Sequence, residues 1–434
     1  MTDFFVPQLD PNAPKKHLSS LQTPFGERSV YDSVSFCNRC GSCQQACPTY
    51  LLSAQETFSP RGRNQAVRLL MERKITVAQN RALLQELAAS CLLCGRCTQA
   101  CAGKIPTAQH MLELRRALGG RWLPGGLHFL LSCRARRPRL FAFLVQTARV
   151  LRRMGAVRLM RMSGLLALPP LSWIRHADDI LPRALHEKER KQLLQQTLSP
   201  VQNPTLIYLP SLEAQWLMPD LGASVLAQAA QKHSVLVWNA PSGLFEYVYG
   251  DLRQSRRLLR RLIRRHQHTA GGRLPVLTDS IDVYLFFRSA PQLFDRWPSL
   301  QKQARRFAAC VCFVTDILKP RPQKAEQKNV RLDYSALFSR EGEVFDRAQK
   351  ILKTQFKKNF VECWYKDADT PAFGYSFVRP DWAEPICMQA VRSIARTQTG
   401  TVFTLSGLSA LELGFYLKRF YPHAQADHLV RLNG

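Results

Sequence analysis

The chain has 434 residues, with 61 Lys or Arg against 32 Asp or Glu, so its formal charge at pH 7 is +29. Hydrophobic residues make up 46% of the sequence, which excludes disorder over most of its length and allows two or three hydrophobic cores. No run approaches the ~20 apolar residues of a spanning helix, and the N-terminus lacks the features of a secretion signal. We therefore expect a cytoplasmic protein in a reducing compartment.

The N-terminal part contains an arm and a helical module. Residues 1–30 are polar and rich in Pro and Ser, which predicts an extended arm. Residues 31–118 contain eight of the 13 cysteines in two tight groups. Between the groups, Leu, Val and Met recur at helical spacing over 64–72 and 78–89. This pattern predicts an α-helical module built around a metal.

Residues 119–200 are predicted to be an Arg-rich amphipathic helical linker. The stretch 114–177 contains 13 Arg but no Lys, Asp or Glu, and its arginines alternate with apolar runs. Such a segment is typical of helices that lie on an anionic membrane, where each basic residue near the surface contributes ~1 kcal/mol. Trp122 and Trp173 are candidates for the headgroup level. We expect peripheral attachment at the inner face of the cell membrane.

Two other partners fit the same positive charge. An acidic protein could be steered to it, and nucleic acid phosphates also bind Arg. No helicase, glycosylase or helix-turn-helix pattern accompanies the charge, so nucleic acid is the less favoured partner without being excluded.

From residue 201 onward, short β-rich runs alternate with helical ones, which indicates βαβ units and parallel sheets. We predict a first α/β domain over 201–325 and a second over 326–434, because the order of elements recurs. In the first domain the helix around 251–266 places Leu252, Leu258, Leu259, Leu262 and Ile263 on one face and six arginines on the rest. The predicted strands are 205–210, 234–239, 275–279, 329–334, 359–363 and 401–405.

The two cysteine groups share one spacing, C-x2-C-x2-C-x3-C. The first run is Cys37, Cys40, Cys43 and Cys47, and the second is Cys91, Cys94, Cys97 and Cys101. A cubane [4Fe-4S] cluster needs four thiolates, and in such runs the fourth cysteine binds the other cluster. The spacing therefore predicts two clusters with crossed ligands. We call Cys37, Cys40, Cys43 and Cys101 the first thiol set, and Cys91, Cys94, Cys97 and Cys47 the second thiol set.

Small residues after the second cysteine of each run, namely Gly41, Ser42 and Gly95, leave backbone amides free to approach cluster sulfides. Structural zinc is a weaker alternative, since it takes paired C-x2-C arms with four ligands per ion. Disulfides would be crowded into strained loops, and no C-x-x-C-H haem motif occurs.

These motifs resemble a known family. The run CNRCGSCQQACPTY at 37–50, SPRGR at 59–63 and CLLCGRCTQAC at 91–101 are similar to the iron-sulfur subunits of glycolate oxidase and the related lactate-utilisation, glycerol-3-phosphate dehydrogenase and heterodisulfide reductase proteins. The close similarity covers 37–118. The resemblance implies a ferredoxin-like module that carries electrons between a flavoprotein and a partner, followed by two α/β cysteine-rich domains.

The second half departs from that family. The resemblance implies Cys-Cys-Gly motifs there, but the chain contains none, and the corresponding positions have Pro-Ser-Gly-Leu at 241–244 and Cys-Trp-Tyr-Lys at 363–366. The five remaining cysteines do not restore the pattern, and a buried cysteine most often acts as a small hydrophobe. They are Cys133, Cys310, Cys312, Cys363 and Cys387. We therefore expect two degenerate α/β domains that serve as a docking scaffold, with Cys363 as the one candidate for a third metal site.

No phosphate loop or dinucleotide-binding fingerprint occurs, so we expect no flavin or nicotinamide to be bound by this chain. The sequence thus predicts an α+β multidomain protein and a non-catalytic electron-transfer subunit with two [4Fe-4S] clusters. It would relay electrons between a flavin-dependent 2-hydroxy-acid dehydrogenase and a membrane-side acceptor. The alternative is a non-redox scaffold, assembly or nucleic-acid-binding protein with structural clusters.

Overall fold

The computed structural model describes residues 21–23, 26–28, 30–119, 123, 125–168, 171–181, 201–318, 328–333, 343–362 and 375–433. Within these residues the fold is rich in α-helix and contains small parallel sheets. The predicted α+β class is confirmed at this level. Most of the predicted arm, together with Trp122, Cys363 and residues 182–200, lies outside the described residues.

The elements are numbered here in chain order. The helices are α1 (Val30–Ser35), α2 (Pro48–Ser53), α3 (Pro60–Met71), α4 (Arg81–Ser90), α5 (Arg96–Ala100), α6 (Thr107–Leu118), α7 (Gly125–Arg136), α8 (Pro138–Arg153), α9 (Ala156–Met162), α10 (Ser172–Ile180), α11 (Leu212–Trp216), α12 (Pro219–Ala229), α13 (Leu244–Tyr249), α14 (Leu252–His268), α15 (Ile281–Arg288), α16 (Pro298–Cys310), α17 (Glu343–Phe356), α18 (Tyr375–Val378), α19 (Pro380–Arg396) and α20 (Gly407–Phe420). The strands are β1 (Leu21–Thr23), β2 (Gly26–Arg28), β3 (Leu206–Tyr208), β4 (Val235–Val237), β5 (Val276–Thr278), β6 (Val311–Phe313), β7 (Asn329–Leu332), β8 (Thr399–Thr404) and β9 (Gln425–His428).

The chain divides into two compact units. The first contains residues 1–179, 243–257 and 375–383, and the second contains 180–242, 258–374 and 384–434. The sequence analysis placed domain boundaries at residues 30, 118, 200 and 325. These boundaries stay predictions.

In the first unit, helices α1, α3, α4 and α6 form the helical module. Helix α3 begins where the Ser59 hydroxyl accepts a hydrogen bond from the amide of Gly62 at 2.8 Å, with Pro60 at its first position. A buried polar network connects three helices of this module, since Nδ1 of His110 lies 2.9 Å from Oδ1 of Asn64, and His110 also contacts Ser33. Burial lowers the pKa of His110 to about 3.

The Arg-rich part of the first unit is helical, from α7 to α10. Arg136 lies 3.6 Å from Asp251, and Arg152 and Arg161 have acidic partners just after the acid-free stretch of sequence. Nε of Arg152 lies 2.6 Å from Asp178, and Arg161 contacts both Asp178 at 3.0 Å and Asp179 at 2.7 Å. Among the described residues, no helix is both long enough and apolar enough to cross a membrane.

The second unit contains two parallel sheets. One has the strand order β4-β3-β5-β6, and the other has the order β7-β8-β9. Strands β6 and β9 were not predicted from the sequence. Of the predicted strand 359–363, Phe360 forms a single parallel bridge with Val330, and Cys363 lies outside the described residues.

The two sheets contribute to one hydrophobic core. Leu206 and Val237 of the first sheet belong to the same buried cluster as Val330 and Phe403 of the second. Helix α14 has the predicted amphipathic pattern. The four leucines named above and Ile263 are buried, while Arg253, Arg257, Arg260, Arg261 and Arg264 are exposed.

Candidate metal centre

The two cysteine runs follow the same backbone path. Arg39 and Leu93, each the residue before the second cysteine of its run, both have φ of 57°. The glycine after that cysteine is also left-handed in both runs, with φ of 85° at Gly41 and 72° at Gly95. A left-handed conformation is uncommon for residues such as Arg and Leu. Its recurrence at matching positions therefore indicates that the two runs form the same type of loop.

Hydrogen bonds inside the runs match as well. The amides of Gln44 and Thr98 bind the carbonyls of Gly41 and Gly95, at 2.8 and 2.9 Å. The amide of the fourth cysteine then binds the carbonyl of Gln44 or Thr98, at 3.0 Å in the first run and 3.3 Å in the second. The two runs therefore share the same succession of backbone hydrogen bonds up to the fourth cysteine.

Cys43 lies among the cysteines predicted to share a cluster with it. Burial, followed by the nearby Cys37 and Cys101 thiols, raises the pKa of the Cys43 thiol to about 12. Cys101 is 58 positions away in sequence, yet it acts on Cys43 more strongly than Cys47 does. Cys37 and Cys101 are members of the first thiol set together with Cys43, and Cys40, its remaining member, is exposed.

Cys97 has the complementary neighbours. Burial raises the pKa of the Cys97 thiol well above its usual value, and the thiols of Cys94, Cys47 and Cys91 add to this effect. Cys47 comes from the other run and ranks above Cys91. Cys101 thus lies near Cys43 of the other run, and Cys47 lies near Cys97. The crossed ligation of two clusters stays a prediction.

A small cavity lies at the second thiol set. All four members line it, together with Thr49, Arg63 and the backbone of Gly95. Each thiolate of a cubane binds a different iron atom, so the four sulfurs need to surround a volume rather than meet at one point. Within the described residues, no three His, Cys, Asp or Glu side chains converge as they do around a single metal ion. The lining of this cavity fits a [4Fe-4S] cluster, which would accept and release single electrons there.

The SPRGR motif places a buried cation beside this cavity. Arg63 is 2% exposed, and its guanidinium donates to Sγ of Cys47 at 3.5 Å, to the Thr49 hydroxyl at 3.0 Å and to the Ser90 hydroxyl at 2.9 Å. The preceding Gly62 is required, because a Cβ there would lie 2.1 Å from the carbonyl oxygen of Glu56. The sequence indicated the motif but not this contact, which joins positions 16 residues apart.

A second buried arginine supports the loop at Cys91. Arg115 donates to the carbonyl of Cys91 at 2.7 Å and to the carbonyl of Ala88 at 2.9 Å. Its contacts on this side go to backbone oxygens rather than to a thiol. It therefore holds the loop at the end of α4, where the Tyr375 hydroxyl also donates to the carbonyl of Ser90 at 3.1 Å.

The remaining cysteines take no part in these sets. Cys133 and Cys387 are buried, and Cys387 contacts a carboxyl oxygen of Glu412 at 3.6 Å. Cys310 and Cys312 lie at the end of α16 and in β6, and burial raises the pKa of both thiols, that of Cys312 to about 12. The third metal site suggested for Cys363 concerns a residue outside the described part.

The second unit contains a buried acidic group that sequence reasoning missed. Asp279, just after β5, accepts hydrogen bonds from the amide and hydroxyl of Ser211, which follows β3, at 2.8 and 2.9 Å. Glu213 is buried beside it, and burial together with Asp279 raises the pKa of Glu213 to about 8. Burial also raises the pKa of Asp279 to about 6. Parallel strands bring their carboxyl ends to one edge, which accounts for this meeting of residues 68 positions apart.

Comparisons with known proteins agree with the cysteine chemistry. Residues 33–105 match the family model of the 4Fe-4S dicluster domain. A protein described as a probable glycolate oxidase iron-sulfur subunit, from Bacillus subtilis (strain 168), is 27% identical over 186 residues, which are 41% of this chain and 40% of that protein. The match thus spans about two fifths of the relative's length. No solved structure matches the chain. The resemblance inferred from the cysteine runs is therefore confirmed.

Proposed function

We propose that this protein is an electron-transfer subunit that holds two [4Fe-4S] clusters, one at each thiol set. The observation that carries the proposal is the pairing of neighbours, Cys43 with Cys37 and Cys101, and Cys97 with Cys94 and Cys47. The matched loops and the cysteine-lined cavity support it. Crossed ligands bring two clusters close together, which is the arrangement that rapid electron transfer between them requires.

The test is anaerobic purification followed by iron and sulfide analysis and electron paramagnetic resonance of the reduced protein. We expect iron and sulfide for two cubanes and reversible reduction of both. Clusters that cannot be reduced without losing iron would support the alternative, a scaffold protein with structural clusters. Absence of sulfide would contradict the iron-sulfur assignment.

The proposed electron donor is a separate flavoprotein. The relative is described as the iron-sulfur subunit of a glycolate oxidase, and we propose that this chain serves a flavin-dependent dehydrogenase of glycolate, lactate or a similar 2-hydroxy acid. The flavin and the organic substrate would bind to that partner. An optical spectrum of the complex, isolated at low salt from its native host, should contain flavin bands that bleach on addition of the substrate.

We further propose that the Arg-rich helices bind the anionic inner surface of the cell membrane, where the electron acceptor lies. Many of the exposed large hydrophobic side chains of the described chain fall in this one segment. They are Phe129, Phe143, Val150, Leu151, Met154, Leu159, Met162, Leu165 and Leu168. Met154 and Met162 are each at least 75% exposed.

Charge complementarity favours a lipid surface over other partners for this face. Arg137, Arg139, Arg153, Arg158 and Arg175 are exposed, and no carboxylate pairs with them within the described residues. Apolar side chains surrounded by arginines fit the boundary between acyl chains and anionic headgroups.

Vesicle co-sedimentation tests the membrane proposal. We expect the protein to bind vesicles of phosphatidylcholine with phosphatidylglycerol at low salt, and to bind phosphatidylcholine alone much less. Met162→Glu should weaken binding. The control Leu83→Glu, at an exposed leucine of the first unit outside the Arg-rich helices, should not. Equal binding of both vesicle types, or tight retention of nucleic acid on filters instead, would overturn it.

A further inference from the structure

Arg63 is a full positive charge buried at the second thiol set. Its hydrogen-bond partners in the described part of the chain are two hydroxyls and a cysteine sulfur, and none of them is a carboxylate. Burial opposes the charge, and the nearest group that can become negative is the Cys47 thiol, whose Sγ lies 3.5 Å from the guanidinium. A buried charge without a partner is very costly, so the group that compensates Arg63 has to be the negative thiol set itself.

The neighbouring arginine of the same motif has a different environment. Arg61 is one third exposed and forms an ion pair with Glu56, its Nε lying 2.6 Å from the carboxylate. Its remaining contact is to the carbonyl of Arg39, in the first cysteine run, at 3.0 Å. The charge of Arg61 is therefore neutralised by Glu56 and screened by water, whereas the charge of Arg63 is neither.

The hydroxyls around Arg63 hold its guanidinium in place. Thr49 lies 3.2 Å from Sγ of Cys47 and accepts a hydrogen bond from Arg63, so it contacts both the ligand and the cation. Ser90 directly precedes Cys91 and fixes the other side of the same nitrogen. The start of α3 at Ser59 sets the direction in which Arg63 enters the cavity wall.

On the basis of the function proposed above, we infer that Arg63 raises the reduction potential of the cluster at the second thiol set, and does so selectively. Reduction adds one electron, supplied by the flavoprotein, and leaves the ligand bonds unchanged. The added negative charge is stabilised by a nearby cation, and more strongly in a buried site than in water. Charge and hydrogen bonding to the sulfurs are established determinants of cluster potential. Arg63 is thus a positioning and tuning residue that touches the ligand, not the iron.

The experiment is an anaerobic redox titration of the full chain with dithionite, followed by electron paramagnetic resonance. The variant Arg63→Gln keeps a donor for the hydroxyls but removes the charge. We expect it to lower the midpoint potential of one cluster signal and leave the other in place, with iron content unchanged. Arg63→Lys, which restores the charge, should recover most of the shift. Arg61→Gln is the matched control and should leave the potential of that signal unchanged.

Ligand variants identify the signals. Cys97→Ser perturbs the second thiol set and Cys37→Ser the first, so each signal can be assigned before the Arg63 variants are compared. A shift of both midpoints by the same amount, or of neither, overturns the inference. If Arg63→Gln loses iron, Thr49→Val provides the second measurement, with a smaller downward shift of the same signal expected and an unchanged midpoint counting against the inference.

The outcomes separate this inference from the proposed function. A wild-type protein without two reducible clusters would refute the proposed function. Two reducible clusters whose midpoint potentials are the same in the wild type and in the Arg63 variants would refute the inference alone.

Discussion

The two compact units differ in what compensates their buried ionisable side chains. Beside the cysteine runs of the first unit, Arg63 is enclosed with thiols as its counter-charge. At the strand ends of the second unit, Glu213 and Asp279 are enclosed together, and burial favours a proton on each. The first arrangement suits a negative metal cluster, while the second needs only protons. In the described part of the chain, thiols therefore compensate the buried charge of the first unit, whereas hydrogen bonds and protonation compensate the buried acids of the second.

The largest expected effect comes from breaking the thiol sets. Cys47→Ser and Cys97→Ser should perturb the same cluster, while Cys101→Ser and Cys43→Ser should perturb the other, because the proposed ligand sets exchange the fourth cysteines between runs. Iron analysis and electron paramagnetic resonance of each variant check this. Cys310→Ser, at a half-buried cysteine outside both sets, is the control. If Cys47→Ser and Cys43→Ser affected the same signal, the crossed assignment would be wrong.

The next effect concerns how the first unit positions its cation. Gly62→Ala would push a Cβ against the carbonyl of Glu56 and displace the start of α3, so we expect a loss of about 1–3 kcal/mol in the free energy of unfolding. Denaturant titration measures it. Gly414→Ala is a matched helical control, because nothing lies within 4 Å of a Cβ built there. Similar stability of both variants would remove the steric role of Gly62.

The pH dependence of the free energy of unfolding tests the buried Glu213 of the second unit. Folded Glu213 keeps its proton up to about pH 8, whereas the unfolded chain loses it near 4.5, so stability falls as pH rises between these values. Asp279, with a pKa of about 6, and His428, whose pKa burial lowers from 6.5 to about 4, change little above pH 6.5. From pH 6.5 to 8 we therefore expect a loss of about 2 kcal/mol.

Glu213→Gln should flatten this pH dependence, as measured by denaturant titration and by amide exchange of β3 and β5. The exposed Glu362→Gln should keep the wild-type slope. A slope that survives in Glu213→Gln would show that the buried acid is not its origin.

The smallest expected effect is at the helix cap. Ser59→Ala removes the hydroxyl that accepts from Gly62 and should cost about 1 kcal/mol. It should also weaken the placement of Arg63, so the second-set cluster should lose part of its raised potential. Ser163→Ala, at an exposed serine, should change neither quantity. If Ser59→Ala lowered the stability without changing the reduction potential, the helix cap would have no role in setting that potential.

Much of the cysteine site follows from sequence because its information is local. The spacing within each run is enough to predict an iron-sulfur site, and the family match over residues 33–105 supports that prediction. The crossed ligand sets stay a prediction. Contacts between distant positions could not be predicted in the same way. The ion pairs of Arg152 and Arg161 use acids that begin one residue after the acid-free stretch, and no periodicity links them.

The second half follows the same rule. Alternation of β-rich and helical runs predicted β3, β4, β5, β7 and β8, because each lies in a short β-rich run of the sequence. Strand β9 was missed because its sequence, Gln425–His428, has little β character and pairs only through its neighbour β8. The meeting of Ser211 and Asp279 depends on strand order, which no local pattern contains.

The repeated left-handed residues at Arg39 and Leu93 have a consequence for design. The two loops share their left-handed positions and their hydrogen bonds, so we look to side chains such as Arg63 and Thr49 for what distinguishes their electronic environments. One loop template can therefore be used twice and each copy adjusted independently. An engineer who transplanted the second run into the first position would be expected to keep the fold of the loop while giving it the electronic character of its new neighbours.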